Sequence, residues 1–286
     1  MGAWTSRASW HHRSQAGRSG RPDSCVGLGD PAENFRVSSE SFQFHIGLER
    51  SSSGCDGPAQ STVVEMDVYD VMRTTFACRE WTDEPISQET VHTILENARF
   101  APNGGNRQGW HVIVLDDKEI RRNLVPLVKP TTSVYVAQTM AGESPWNSIH
   151  PTSVDIDAAI AADPDFPGLE GMVDAPVVLV VTVDLARVAS FDKDLDRVGV
   201  ISGASIYPFV WNILLAARNE GLGGVLTTYL AGRESEVQEL LNIPPSHAVA
   251  AMLPIGFPVK QLTKLRRSEV EDFTTVNTFD GEVFTG

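Results

Sequence analysis

The chain has 286 residues, 42% of them hydrophobic, and a formal net charge of −14 at pH 7. So acidic a chain excludes a simple nucleic-acid binder. Its three cysteines, Cys25, Cys55 and Cys78, show no CxxC or metal spacing, which excludes a disulfide framework and fits a reducing compartment.

Residues 1–65 are rich in Ser, Gly, Arg and His and lack a sustained apolar period, so they are expected to form a disordered extension. Residues 1–22 hold Arg7, Arg13, Arg18 and Arg21 and no acid, the composition of a mitochondrial transit peptide. Gly2, Gly17 and Gly20 interrupt that stretch and no amphipathic stripe appears, so the preferred reading is an upstream start with Met66 as the true one. No apolar signal segment is seen. The expected location is the cytoplasm, with the mitochondrion as the alternative if 1–22 is a transit peptide. Residues 66–286 are expected to form one full-sized domain.

Helical spacing begins at Asp67 and runs to about Thr75, with Val68, Val71 and Met72 on one side. Arg79-Glu80-Trp81-Thr82-Asp83-Glu84-Pro85 reads as an extended turn. Ser87 suits an N-cap, and Val91, Ile94, Leu95 and Ala98 mark the buried face of the helix it opens. The loop Ala101-Pro102-Asn103-Gly104-Gly105-Asn106-Arg107-Gln108-Gly109 then leads into a strand over 110–115. Adjacent glycines let a backbone approach a flat or anionic ligand, and the amides of Asn103, Asn106 and Gln108 both donate and accept. The plainer reading of such a loop is a helix C-cap and turn.

Asp116 or Asp117 is expected to cap a short helix ending near Val128. Five prolines make 129–171 look irregular, a lid or binding loop. Its aromatic residues Tyr135, Trp146 and Phe166 suit either a pocket cover or packing anchors. The run from Ala175 to Val183 reads as a strand covered on both faces. A long central helix is expected over 198–220, with Pro208 kinking it or marking a junction. The segment 198–217 holds no charged residue, but its Gly, Ser, Pro and Asn content favours a buried helix over a membrane span. A strand over 225–229, a helix capped near Ser235 and a buried strand over 248–256 follow, and then a tail carrying Lys260, Lys264, Arg266 and Arg267. The order predicts an α/β (α+β) fold, a mixed sheet sandwiched by helices. Gly221-Leu222-Gly223-Gly224 follows a helix and precedes a strand, the wrong order for a dinucleotide-binding turn.

Four segments in order resemble the FMN-dependent nitroreductase family. They are Arg79 to Pro85; Ala101 to Trp110, close to the family's APSGGNxQPW loop; Gly203 to Gly223; and Leu241 to Pro258. Together they span about 66–270. The resemblance implies a homodimer with FMN at the interface, lined by both subunits. Arg79 resembles the residue that pairs with the FMN phosphate, as a guanidinium suits that anion. Lys264 and Arg266 resemble a second phosphate cluster, with Arg267 a close alternative. Asn103, Gly104, Gly105, Asn106 and Gln108 resemble the loop reaching the flavin from the partner. Thr227, Thr228 and Tyr229 match the strand beside the flavin N5–O4 edge.

The implied activity passes hydride from NADPH or NADH through flavin N5 to a small electron-poor acceptor: a nitroaromatic, a quinone or an activated alkene. The chemistry would be borne by the flavin, so no dedicated catalytic residue is expected, nor a metal, nucleic-acid or membrane partner. Alternatives on the same fold are a heterocycle dehydrogenase, a dehalogenase, or a non-enzymatic FMN-binding or storage protein. The chain departs from the family pattern at Phe76, where Arg or His is usual, at Ala77 for Ser, at Asn103 for Ser and at Gly109 for Pro. The bland readings are a surface ion pair for Arg79, a solvated tail for the three cations, and simple strand propensity for Thr227 and Thr228.

Overall fold

The two most apolar runs of the chain pair with each other at the centre of a sheet. The computed structural model describes residues 66–286 apart from 165 and 167, so the expectations for 1–65 lie outside the described residues. Strand β1 (Trp110–Leu115) pairs with β2 (Val177–Asp184), β2 with β4 (His247–Gly256), and β4 with the short β3 (Gly223–Gly224), giving the order β1-β2-β4-β3. These ladders are antiparallel, and the bridge Ala77↔Gly224 adds parallel pairing at the β3 margin. Every residue of β2 from Val177 to Val183 is buried. Alternation divides them: Leu179, Val181 and Val183 face helices α2 (Gln88–Ala98) and α6 (Tyr207–Asn219), while Val178 and Val180 face the opposite layer. Each such side chain contributes about 1.5–3 kcal/mol of burial.

Local signals fix several elements as expected. Asp67 accepts from Tyr69 N at 2.8 Å and opens α1 (Val68–Thr74). Ser87 accepts from Thr90 N at 3.0 Å and opens α2, whose Ile94 and Ala98 are buried. In β4 the register shifts opposite Val181 and Thr182, leaving Ala250 as an extra residue whose carbonyl accepts from Tyr207 Oη at 3.4 Å.

Elsewhere tertiary structure overrides the local reading. Asp117 does cap a helix, but α3 runs from Lys118 to Met140, through Pro126 and Pro130. An interior proline costs about 3 kcal/mol. Burial of Leu124 and Val128 against the sheet's second face offsets that, and Thr132 Oγ1 bonds the carbonyls of Val128 and Lys129 at the second proline. The segment 129–171 is therefore not irregular throughout: it holds the end of α3, α4 (Ile156–Ala161) and the start of α5 (Leu169–Asp174).

The expected helix 198–220 begins instead as a 3₁₀ turn, Ile201–Ser205, followed by α6. Pro208 lies in the first turn of α6, where its missing amide hydrogen is not needed. No helix among the described residues is long and apolar enough to cross a membrane.

The expected strand 225–229 is also corrected. Val225 N bonds Pro254 O at 3.3 Å, but Pro254 has no N–H to return, so the ladder stops at Gly224. Thr227 makes an isolated bridge to Met252, and Tyr229–Arg233 forms a 3₁₀ turn running into α7 (Glu234–Leu241). Ser235 is not the cap; Arg233 holds that position without a side-chain bond.

Candidate functional site

Arg79 is presented by a segment pinned at the β3 end of the sheet. Ala77 bridges Gly224, Cys78 N bonds Gly224 O at 3.1 Å, and Thr82 N bonds Phe257 O at 2.9 Å. Trp81 Nε1 donates to Gly223 O at 2.7 Å. The glycines of this corner serve packing. A Cβ on Gly256 would lie 2.7 Å from the Trp81 ring, and one on Gly223 would lie 3.0 Å from Cys78 Cβ. Burial pushes the Cys78 thiol up from its usual pKa. Arg79 itself is exposed, donates to Ala77 O at 3.3 Å, and makes no ion pair among the described residues. The surface-ion-pair reading thus has no partner to support it.

The chain leaves β4 beside this corner. Trp81 pairs with Pro258, Val259 N bonds Glu80 O at 3.1 Å, and Gln261 Nε2 bonds Thr74 O at 3.0 Å. Lys264, Arg266 and Arg267 follow, all exposed and without ion pairs among the described residues. Arg267 Nη1 donates to Arg266 O at 2.6 Å.

The glycine loop closes the other end of the sheet. Asp184 N bonds Gly109 O at 2.8 Å, and Asp184 pairs with His247, the first residue of β4. Gly105 (φ +64°), Asn106 (+51°) and Gln108 (+47°) all occupy the left-handed region. Asn103 Oδ1 accepts from Gln108 N at 2.9 Å, Asn106 Oδ1 accepts from Gln108 Nε2 at 3.2 Å, and Gly104 N donates to Ser205 Oγ at 3.2 Å. Residues 104–106 form a 3₁₀ turn, so the plain turn reading holds locally, while the glycines and amides of 104–108 stay exposed.

Thr227, Thr228 and Tyr229 take different environments. Thr227 is buried and its Oγ1 bonds Met252 O at 3.3 Å, a structural role. Thr228 is exposed and Tyr229 half-buried; both line an open cavity of about 380 Å³ with Thr131, Tyr135, Pro145 and Trp146. Tyr229 meets Tyr135 and Phe166 edge to face, with centroids 6.2 and 5.7 Å apart. Burial and the neighbouring Tyr135 raise the Tyr229 phenol above its usual pKa, and Arg79 opposes them.

The structure thus brings Arg79 and the start of the tail to one end of the sheet and sets the loop 103–109 at the other, with Thr227, just before Thr228 and Tyr229, bridging Met252 in the middle of β4. Ten residues of β4 lie between the two ends, about 30 Å at roughly 3.3 Å per residue. Sequence reasoning missed Ser205, which lies 101 positions from the loop it bonds. It also missed Asp192. That carboxylate accepts from Val200 N at 2.7 Å and Arg197 Nη1 at 2.8 Å, and these bonds hold it below the usual carboxylate pKa. Asp192 thereby fixes the loop edging an open cavity of about 830 Å³, lined by Val200, Ile206, Tyr207, Trp211 and Ala248 among others.

Comparison with known proteins gives a consistent picture. A sequence profile described as Nitroreductase family matches residues 72–257. The chain is 25% identical to nitrobenzene nitroreductase of Ectopseudomonas oleovorans, over 73% of this chain and 96% of that one. It is 27% identical to FMN reductase [NAD(P)H] of Bacillus subtilis, over 66% of this chain and 65% of the relative. A crystal structure of oxidized iodotyrosine deiodinase bound to FMN and 3-iodo-L-tyrosine has the same fold, with a TM-score of 0.53 at 22% identity, covering 74% of this chain and all of that one.

Proposed function

The chain belongs to the Nitroreductase family, and from that premise we propose that it is a homodimeric, NAD(P)H-dependent FMN oxidoreductase. Its acceptor is a small electron-poor molecule: a nitroaromatic, a quinone or an activated alkene. The observation that carries this reading is the split arrangement of cations without ion pairs and an exposed amide loop. Arg79, Lys264, Arg266 and Arg267 carry positive charge with no ion pair among the described residues, a donor set suited to a phosphate. Thr228 and Tyr229 offer hydroxyls at the cavity they line, and the Arg79 charge is near enough to act on the Tyr229 phenol. The amides of Asn103, Asn106 and Gln108 and the backbone of Gly104 and Gly105 belong to the same cofactor, but they sit at the far end of the sheet. A second copy of the chain must therefore supply them.

The apolar face around Val198, Val200, Tyr207 and Trp211, each more than 40% exposed, supports the same assembly. FMN, when bound, supplies two-electron transfer between a nicotinamide and the acceptor. Arg79 and the tail cations hold its phosphate. The Phe76 and Ala77 departures remove two of the family's usual polar groups, and Arg73 does not replace them: its guanidinium lies over the Tyr69 ring at 5.6 Å. Cys78 and the tail therefore frame a site that leans on Arg79. The buried Cys78 thiol suits a reducing compartment, and the cytoplasm is the proposed location.

A dehalogenase acting on an iodinated amino acid is the second reading, favoured by the deiodinase likeness. It fits less well, because among the described residues the cavity beside Tyr229 has no charged lining residue to meet an ammonium or a carboxylate. The deciding test is the visible spectrum of the purified protein before and after anaerobic NADPH or NADH. Flavin bands that bleach are expected. Bands that persist favour a storage role or another electron donor, and no flavin after adding FMN defeats the reading.

A further inference from the structure

The loop 103–109 carries a reactive pair that the family pattern lacks. Asn103 stands where Ser is usual, and it is the one asparagine of the chain followed by glycine. A glycine nitrogen has no side chain beside it to screen it, and the side-chain amide carbon of the preceding asparagine is an electrophile one five-membered ring away. The fold demands this glycine: a Cβ on residue 104 would lie 3.2 Å from Ser205 Oγ, tighter than an ordinary contact. Gly104 is also exposed, so water reaches the pair.

We propose that Asn103–Gly104 is a site of spontaneous deamidation, and that Ser205 sets its rate. Gly104 N gives up its hydrogen and attacks Asn103 Cγ. The new C–N bond closes a succinimide ring, the Cγ–Nδ2 bond breaks, and Nδ2 leaves as ammonia with the hydrogen from Gly104. Water then opens the ring at one carbonyl or the other, which leaves aspartate or its β-linked isomer. The only co-reactant is water.

The resting loop holds the reaction back in three ways. The ring closes only with the Gly104 nitrogen near the plane of Cα, Cβ and Cγ, and the extended Asn103 backbone (ψ 158°) turns it away. Gly104 N donates to Ser205 Oγ at 3.2 Å, so the hydrogen that must leave is engaged. Asn103 Oδ1 accepts from Gln108 N at 2.9 Å, and Nδ2 donates to Ala101 O at 3.4 Å, which fixes the side chain. Rotating ψ to close the ring swings the 103–104 peptide and breaks the bond to Ser205. Ser205, buried in the turn ahead of α6, is therefore the restraint that the reaction has to undo.

The product differs in charge and in backbone. Its carboxylate sets an oxygen against Ala101 O where an N–H had been. The β-linked isomer adds a methylene to the main chain just ahead of Gly105, Asn106 and Gln108, which all sit in the left-handed region. A weaker hold on FMN follows, a consequence that rests on the cofactor reading of this loop; the modification itself does not.

The test is ageing of the full chain at mildly alkaline pH, followed by trypsin digestion. The peptide 100–107 holds both Asn103 and Asn106, and tandem mass spectrometry tells which is changed. Conversion at Asn103 is expected, with Asn106, whose successor is Arg107, left intact. Ser205→Ala removes one hydrogen bond and should speed the conversion about fivefold, while Ser205→Thr, which keeps the hydroxyl, should stay within about twofold of the wild type. No conversion at Asn103, equal conversion at Asn106, or equal rates in wild type and a folded Ser205→Ala overturns the proposal. The wild-type preference between the two asparagines decides it even if Ser205→Ala does not fold. FMN titration of Asn103→Asp, the linear product, reads the consequence separately: a dissociation constant raised about fivefold is expected. An unchanged constant defeats the cofactor reading of the loop, whereas an unmodified Asn103 defeats the site.

Discussion

The segment 77–82 and the loop 103–109 close opposite ends of one sheet and are built by different means. The first is carpentry: backbone bridges to Gly224 and Pro258, the buried Cys78, and an indole nitrogen fastened to Gly223 O at 2.7 Å. The second is conformation: three residues in the left-handed region, stitched by side-chain bonds from Asn103 and Asn106. At the first end the fold fixes where one exposed guanidinium stands. At the second, a local backbone shape turns amides and bare glycine outward. The proposed two-subunit site would use both: a cation held in a rigid frame, and a close-approach surface with few side chains in the way.

The contrast is broken most severely at Trp81. Trp81→Ala should cost about 2–3 kcal/mol, because the indole is half-buried and its loss leaves Gly223 O without a donor. A urea midpoint unchanged from the wild type would show that the corner does not depend on it.

Arg79→Ala separates binding from folding. The side chain is exposed, so stability should barely move. A charge-assisted bond to phosphate is worth about 1.5–3 kcal/mol, so the FMN dissociation constant should rise roughly 10- to 150-fold. Fluorescence titration with FMN checks this, and unchanged affinity removes Arg79 from the site.

Gly105→Ala probes the conformational end. At φ +64° a methyl group should cost about 1 kcal/mol, and a thermal melt reads it. A loss much smaller than this would mean that the loop adopts another shape in solution.

The smallest effect is expected at Glu143, which closes the loop behind Trp146. Its hydrogen bonds from Ser153 and Thr152 hold the carboxyl below its usual value of 4.5. A lowered folded-state pKa gives stabilisation that is full above the unfolded value and lost as pH falls through the folded one. The emission of Trp146, taken as wild type minus Trp146→Gly, should therefore change on acidification below about pH 4.5, and Glu143→Gln should abolish that change. An identical acid transition in both proteins would assign it elsewhere.

Much of this architecture was legible in the sequence. The two long apolar runs became β2 and β4, Ser87 opened α2, and the glycine loop stood where its flanking elements put it. What stayed hidden depends on neighbours far along the chain. Helix α3 survives two prolines because Leu124 and Val128 find a sheet face to cover. The strand beyond Gly224 ends early because residue 254, on another strand, is a proline. The cavity joins Tyr135 and Trp146 to Tyr229 across nearly a hundred positions, and an aromatic residue within the 129–171 segment gives no sign of which face it will meet. The positions of Arg79 and the loop could be read; that they lie at opposite ends of one sheet could not.

That separation has a genetic consequence. If each site draws its cation from one subunit and its amide loop from the other, a chain disabled at Arg79 and a chain disabled at the loop are each inactive alone. Co-expressed, they form mixed dimers in which one site inherits both faults and the other neither. Two dead alleles should then restore activity to a cell, and their failure to complement would mean that one subunit holds a whole site.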